Sequence, residues 1–312
     1  MKEKVLITGV AGFIGSNLAA RLLKEGYAVV GIDNLSYGLL EQVPEGVQFH
    51  QIDIRSKDIY PVFKGIDYVF HLAAKTSITD CQSDPVDTAD NNVVGTVNVL
   101  EAARLAGVQK VLYAETSAMY EGIDKFPTPE TEVAPETFYA VSKLSTRFFA
   151  QSYYKFFGLP SVAFRYFNVY GPNQDCRRDV PPVMSAFAIR LLRGEPPIIY
   201  GDGTWRRDFI YVDDINDFHL ICMKDKRADN RVFNLGRGES YSILEIYDII
   251  ADLIGKKIPP VFKPLIGSPA KLNLADISEA KSLGWVPKTN LKEGLRTMIE
   301  SIKLAIAKGV VK

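Results

Sequence analysis

Lys4-Val5-Leu6-Ile7-Thr8-Gly9-Val10-Ala11-Gly12-Phe13-Ile14-Gly15 reads as a short strand, a tight turn and the opening of a helix. The three glycines suit such a turn for separate reasons. One permits the sharp bend, one lets backbone come close to a pyrophosphate, and one allows the helix to pack tightly on the strand. A helix that begins there offers unpaired N–H groups and the positive end of its dipole to an anion. The spacing is GxxGxxG rather than GxGxxG, and three glycines alone fit a plain turn equally well. The next apolar run decides between them. It ends on Asp33-Asn34, about 20 residues beyond the turn, where a ribose-binding acid belongs. A carboxylate there accepts from both adenosine-ribose hydroxyls and repels a 2′-phosphate. No Arg or Lys adjoins it, which favours NAD over NADP as the cofactor.

Outward from this unit the pattern repeats. Residues 5–8, 28–32, 47–52, 68–72, 111–114 and 161–165 are short runs rich in β-branched and aromatic residues, as expected of strands buried on both faces. Residues 13–24, 92–106 and 139–157 lie between them with apolar residues at helical spacing. Such alternation predicts an α/β fold, a Rossmann-type doubly wound parallel sheet. After Gly171-Pro172 the texture changes. Pro181-Pro182, Pro196-Pro197, Pro259-Pro260, Pro264, Pro269 and Pro287 punctuate short elements, although 213–223 and 291–307 still read as helices and 231–235 as a strand. The expected division is a cofactor domain of residues 1–170 plus 208–236. A smaller, irregular substrate domain takes 171–207 plus 237–312.

The 312 residues carry 37 Lys plus Arg and 37 Asp plus Glu. That balance disfavours a nucleic-acid or acidic-membrane surface. At 47% hydrophobic, the chain buries a sizeable core. Cys81, Cys176 and Cys222 are odd in number and scattered, and His50, His71 and His219 show no ligand spacing, so neither a disulfide framework nor a metal centre is expected. No apolar stretch reaches membrane-spanning length and no signal peptide opens the chain. A soluble protein of a reducing cytoplasm is the expectation.

Tyr139 and Lys143 stand four apart, hence on one helix face. A phenol ordinarily titrates near 10, so its use as a base near neutrality calls for a fixed cation that favours the phenolate. The run 111–120, Val-Leu-Tyr-Ala-Glu-Thr-Ser-Ala-Met-Tyr, leaves a strand end, where α/β sheets place ligands. Thr116 and Ser117 are its candidate hydroxyls for a sugar-like substrate; a cap on the strand-end turn accounts for either equally well.

Taken together, these segments resemble an extended short-chain dehydrogenase/reductase of the nucleotide-sugar epimerase/dehydratase branch, nearest the UDP-sugar 4-epimerases. The carrying residues are the glycine turn, Asp33-Asn34-Leu35, Asp53-Ile54, His71-Leu72-Ala73-Ala74, Asn92-Val93-Val94-Gly95-Thr96 and Tyr139 with Lys143. Arg165-Tyr166-Phe167-Asn168-Val169-Tyr170-Gly171-Pro172 and Arg207-Asp208-Phe209-Ile210-Tyr211-Val212-Asp213-Asp214 complete the set.

The resemblance implies roles residue by residue. Thr116 falls on the catalytic hydroxyl, Tyr139 on the acid/base and Lys143 on the nicotinamide ribose. Gly9, Gly12, Phe13, Ile14 and Gly15 hold the pyrophosphate, and Asp33 and Asn34 the adenosine ribose. Asp53 and Ile54 sit by the adenine, while Leu72, Ala73, Ala74, Asn92 and Tyr166 line the rest of the NAD cleft. Asn168 contacts the phosphates of the nucleotide sugar, and Arg207 neutralises them, leaving Arg206 as a surface neighbour. The helices over 92–106 and 139–157 imply a homodimer.

Dehydratases of this family place Asp-Glu after the threonine, and decarboxylases Ser-Glu. Ser117-Ala118 stands here, which points to 4-epimerisation of a UDP-sugar through a transient 4-keto sugar, with UDP-glucose/UDP-galactose or an N-acetylated UDP-hexosamine as substrate. A 4,6-dehydratase using Glu115 or Glu121 is the alternative, although Glu115 should face the other side of its strand. A non-catalytic NAD-binding regulator comes third. Three stretches depart from the family pattern. Ile266-Gly267-Ser268-Pro269 replaces an arginine-bearing loop, leaving Lys263, Lys271 or Arg177-Arg178 to grip the nucleotide. Thr79-Asp80-Cys81 replaces Pro-Arg-Ser, and Asp80 disfavours an acidic sugar. Asn273 stands where a tyrosine narrows the sugar pocket, leaving room for an N-acetyl group.

Overall fold

The computed structural model describes residues 2–175, 177, 181–265 and 271–310. Seven parallel strands form the main sheet: β1 (Lys4–Thr8), β2 (Ala28–Asp33), β3 (Gln48–Gln51), β4 (Tyr68–His71), β5 (Lys110–Thr116), β6 (Ser161–Tyr166) and β10 (Val232–Leu235). Their order is β10-β6-β5-β4-β1-β2-β3. The chain therefore winds outward in one direction from β1 to β3 and in the other from β4 to β10. The crevice at that reversal, between the carboxyl ends of β1 and β4, is where such sheets bind ligands.

Alternate residues of each strand feed opposite layers. Val5 and Ile7 pack with Leu18 and Leu22 of α1 (Phe13–Lys24) and Phe218 of α7 (Val212–Lys224). Leu6, Val30 and Ile32 pack with Val99 and Leu100 of α4 (Gly95–Ala106) and Ala150 of α5 (Phe138–Phe157). Short helices α2 (Ile78–Ser83) and α3 (Pro85–Ala89) precede α4. A π-helical turn over Asp90–Val94 stands where the periodicity predicted the first turn of the 92–106 helix.

The smaller part is built on a four-stranded sheet of β7 (Asn168–Tyr170), β9 (Arg206–Tyr211), β11 (Ser240–Ser242) and β13 (Leu272–Asn273). β8 (Ile198–Tyr200) pairs with β12 (Val261–Lys263), and α6 (Val183–Arg193), α8 (Ile243–Ile254), α9 (Ser278–Lys281) and α10 (Leu291–Ala307) complete it. The expected division is corrected in one respect. Residues 168–170 and 209–211 fall in the expected cofactor domain, yet they pair with each other in this second sheet. One apolar core runs from Val5 through Phe218 to Ile302, so the two parts share their interior.

Candidate active site

A cavity of about 430 Å³ opens at the carboxyl ends of the main strands. Its floor is the glycine turn. Gly9 takes φ +75°, and a Cβ there would lie 2.7 Å from the Ala73 nitrogen. At Gly15 a Cβ would meet the Gly9 carbonyl oxygen at 2.1 Å. Strand, turn and helix are thus held closer than any side chain allows. No side chain caps the start of α1, so its free N–H groups face the cavity, as an anion site requires. Gly12, Phe13 and Ile14 line the same floor, with Leu72 and Ala73 against Gly9 and Ala74 following them.

At the end of β2 the buried Asp33 carboxylate accepts from the Ala11 and Leu35 N–H groups at 3.0 and 2.8 Å. Burial pushes its titration upward, against those hydrogen bonds. Asn34 lines the cavity and donates to Asp53 at 2.9 Å. The Arg55 guanidinium beside Asp53 holds that carboxyl well below the usual range. Arg55 also bonds Asp87 and Asp90, each at 3.1 Å. Arg55, joined to Asn34 through Asp53, is therefore saturated with carboxylates and offers little to a 2′-phosphate. An uncapped helix start, a carboxylate at the ribose corner and a neutralised Arg55 fit NAD.

The chemical end of the cavity gathers Thr116, Tyr139 and Lys143 from two elements. Thr116 closes β5, and its hydroxyl accepts from the Ala118 N–H at 3.1 Å. Helix α5 starts where it does because Thr137 caps it, accepting from the Ala140 N–H at 3.2 Å. Glu121 fixes that cap, its carboxylate accepting from the Glu136 and Thr137 N–H groups, both at 2.9 Å. This start points Tyr139 and, one turn on, Lys143 into the cavity. Lys143 belongs to a residue only 2% exposed. Burial lowers its titration to about 8, partly offset by the Glu115 carboxylate.

Both carboxylates weighed as dehydratase acids are engaged elsewhere. Glu121 serves the α5 cap. Glu115 is fully buried and paired at 2.9 Å with Arg165, which in turn donates to Tyr120 at 2.7 Å. Glu115 also lines the cavity at the end of β5, with its Oε2 held by Arg165.

Several sequence-predicted residues are placed differently from expectation. Asp53 and Asn92 are not among the residues lining the cavity, whereas Ile54 and Asn91 are. Asn92 is buried and braces the wall from behind. Its side chain accepts from the Lys75 N–H at 2.8 Å and donates to the Lys75 carbonyl and Ser142 hydroxyl, each at 3.0 Å. The π-helical turn is what aims it inward. Tyr166 lines the cavity, and its hydroxyl meets His219 Nε2 at 2.8 Å. Asn168 lines it too, with both amide hydrogens given to the Asp208 carbonyl and Asn273 Oδ1, at 2.8 and 3.0 Å.

Arg207 is not among the lining residues. Its guanidinium bonds the Arg206 carbonyl and stands 5.9 Å from the Trp205 ring centroid. Arg206 pairs with Glu245. Lys263, Lys271 and Asp80 are absent from the lining as well. Arg178 and the stretch 266–269 lie outside the described residues. Arg177 does reach the cavity, bonded to Asp175 and to the Tyr37 carbonyl. Sequence reasoning missed Tyr37, Gln42, Lys75, Asn91 and Gln174, all lining residues. Only Lys75, directly after the His-Leu-Ala-Ala run, carried a local signal.

A doubly wound sheet, an anion-binding glycine turn and a Thr–Tyr–Lys set define a dinucleotide-dependent enzyme of the short-chain dehydrogenase/reductase type. Residues 5–236 match the NAD dependent epimerase/dehydratase family, and the chain belongs to it. It is similar to a UDP-glucose 4-epimerase of Thermotoga maritima solved with UDP-glucose, at 35% identity and TM-score 0.93, covering 97% of this chain and 99% of that one. A UDP-N-acetylglucosamine 4-epimerase of Methanobrevibacter ruminantium, in complex with UDP-N-acetylmuramic acid, matches at 32% and TM-score 0.93 over 97% and 99% of the two chains. A UDP-glucuronate 4-epimerase of Thermodesulfobacterium geofontis is 36% identical, over 94% of each chain.

Proposed function

We infer that this chain is an NAD-dependent UDP-sugar 4-epimerase. The observation that carries the reading is that Thr116, Tyr139 and Lys143 line the same cavity as the glycine turn, with Glu115 Oε2 held by Arg165 and Glu121 by the α5 cap. Elimination or decarboxylation needs a further acid beside the threonine; inversion at C4 does not. Bound NAD supplies a reversible hydride acceptor. Gly9, Gly12, Phe13, Ile14, Gly15, Asp33, Asn34, Ile54, Leu72, Ala73 and Ala74 would hold it, with Lys143 at the nicotinamide ribose and the Tyr166 ring beside it.

The residues of the chain then have simple tasks. Tyr139 removes the C4 hydroxyl proton and later returns it, so one phenol serves both directions. The Lys143 ammonium favours the phenolate, and Thr116 orients the sugar hydroxyl against it. Arg177 supplies positive charge toward the diphosphate, a role expected of Arg207, and Asn168 marks the sugar-nucleotide wall. UDP-glucose/UDP-galactose or an N-acetylated UDP-hexosamine is the substrate class of this reading.

The same reading includes a homodimer in a reducing cytoplasm. Phe148 and Phe156 on α5 are 60% and 69% exposed and Leu105 on α4 is 58% exposed, an apolar stripe suited to a matching stripe. No helix among the described residues is long and apolar enough to cross a membrane. Incubation with UDP-glucose, UDP-N-acetylglucosamine and UDP-glucuronate, followed by separation of products, tests the function. A 4-epimer of a neutral sugar is the expected product, and a 4-keto-6-deoxy product would show a dehydratase instead. Sedimentation that shows monomers at every concentration would remove the dimer.

A further inference from the structure

Behind the catalytic set lies a line of buried polar side chains that the mechanism above does not use. His71, at the end of β4, bridges two threonines. Its Nδ1 lies 2.7 Å from the Thr8 hydroxyl and its Nε2 lies 2.8 Å from the Thr96 hydroxyl. The neighbours fix the direction of every proton. Thr96 donates to the Asn92 carbonyl at 2.6 Å, so its oxygen is left to accept from His71 Nε2–H. Thr8 accepts from the Ala73 N–H at 3.3 Å, so its own proton goes to Nδ1. His71 is thereby held as the neutral Nε2–H tautomer.

The line continues to the catalytic helix. Asn92, which accepts from Thr96 through its carbonyl, donates through its side chain to the Ser142 hydroxyl at 3.0 Å. Ser142 donates to the Tyr139 carbonyl at 2.8 Å. An unbroken series thus joins Thr8, the residue before the first glycine of the turn, to the backbone of Tyr139. All of its members are buried. Each end meets the cavity: Gly9 and Ala73 on the cofactor floor, Tyr139 and Lys143 on the opposite wall.

We propose that His71 is a positioning residue, a rigid neutral spacer that sets the separation between the cofactor floor and the Tyr139–Lys143 pair. The proposal rests on reading that pair as the acid and its cation. Neutrality matters to the role, because a charged imidazole here would sit within reach of the Lys143 ammonium and oppose it. A histidine also has a geometric property that no aliphatic side chain shares: two hydrogen-bonding atoms on one rigid ring, each able to anchor one threonine.

The test uses Thr96, which touches neither substrate nor cofactor wall. Thr96→Val keeps the shape and removes the hydroxyl. The expected loss in kcat is roughly tenfold, since small displacements of reacting groups are costly, with KM for the UDP-sugar unchanged to within about twofold. The acidic limb of the pH profile moves to higher pH, because a looser Lys143 favours the phenolate less. Thr96→Ser restores kcat and the limb together. A purely structural role would reduce the active fraction without moving the limb. The chain has three histidines, so nitrogen NMR of histidine-labelled protein resolves His71, expected as the Nε2–H tautomer in native protein and in Thr96→Ser. Native kcat and pH profile in Thr96→Val, or an Nδ1–H tautomer, overturns the proposal alone. Native protein that turns over no UDP-sugar defeats the epimerase reading itself and the proposal with it.

Discussion

The two walls of the cavity are built on different principles. The cofactor wall comes from strand ends and the helix they launch: Gly9, Gly12, Gly15 and Asp33 are all within one βαβ unit and are fixed by close backbone contact. The sugar-nucleotide wall is assembled from distant segments. Gln42 reaches the carbonyl of Asn173, 131 residues away, and Arg177 reaches that of Tyr37, 140 residues away. Asn168 leans on Asn273, 105 residues on. A wall made of local geometry tolerates little change and serves one ligand. A wall made of long-range side-chain contacts can be rebuilt around different sugars while the first stays constant. Solved 4-epimerases named for UDP-glucose, UDP-N-acetylglucosamine and UDP-glucuronic acid share this one architecture.

Tyr139 stands where the walls meet, so its loss should break the comparison most severely. Tyr139→Phe removes only the proton-carrying oxygen. Turnover is expected to fall by about 10³-fold or more, with NAD still bound, as measured by product separation and by nucleotide released on heating. Retained turnover would move the acid/base role elsewhere.

Lys143→Met comes next, with opposite effects on activity and stability. Turnover should fall by about 10²-fold, because the phenolate loses its cation. Stability should rise. The buried ammonium titrates at about 8 in the fold, below its ordinary value of about 10.5. The unfolded chain therefore binds the proton more tightly, and the native state carries the full penalty below pH 8. That penalty is about 3 kcal/mol and is relieved as pH rises past 10.5. In nucleotide-free protein the melting temperature of Lys143→Met should exceed that of native protein near neutrality, and the gap should close in alkali. An equal or lower melting temperature at pH 7 would show that the ammonium is paired in solution.

The glycine turn, Asp33 and the Tyr139–Lys143 pair are legible as candidates from spacing, whereas Ile54, Leu72, Ala73, Ala74 and Tyr166 enter only through the family resemblance. The GxxGxxG turn, Asp33 at the next strand end and the four-residue step from Tyr139 to Lys143 are relations between near neighbours, which strand and helix geometry converts directly into position. Thr116 was legible only as one of two hydroxyls at a strand end. Asn92 is a cofactor contact only by the family resemblance, which fixes a position in the chain and not the direction of a side chain. The π-helical turn turns its amide toward Lys75 and Ser142 instead. The resemblance implies Arg207 as the cation for the phosphates, but its guanidinium bonds the Arg206 carbonyl and stands near the Trp205 ring. Arg177 was one of four candidates, and no local pattern singled it out, since its place depends on a loop meeting Tyr37 from the far end of the fold.

Asp33 sharpens the comparison on its rigid side. Asp33→Ser should weaken NAD binding about tenfold, a loss of one charge-assisted hydrogen-bond acceptor, read by calorimetry. NADP should gain relative to NAD without overtaking it. The repelling carboxylate has gone, yet Arg55 remains bound to Asp53, Asp87 and Asp90 and supplies no free cation for the 2′-phosphate. A variant that came to prefer NADP would show that Arg55 leaves its carboxylates readily.

Arg177 probes the adaptable side, and its expected effect is the smallest. Its guanidinium borders the cavity but is already paired with Asp175 at 3.1 Å, and the side chain is 36% exposed. A half-exposed cation with a resident counter-ion gives modest net attraction, because any gain toward a diphosphate competes with the existing pair and with water. Arg177→Ala should raise KM for the UDP-sugar about threefold to fivefold and leave kcat alone, the pattern of lost uniform binding. Raising salt should shrink the difference between variant and native protein, since partly exposed charges are screened. A large fall in kcat with unchanged KM would contradict this. It would mean that the segment bearing Arg177 positions the sugar over Tyr139, and that this wall is as constrained as the one facing it.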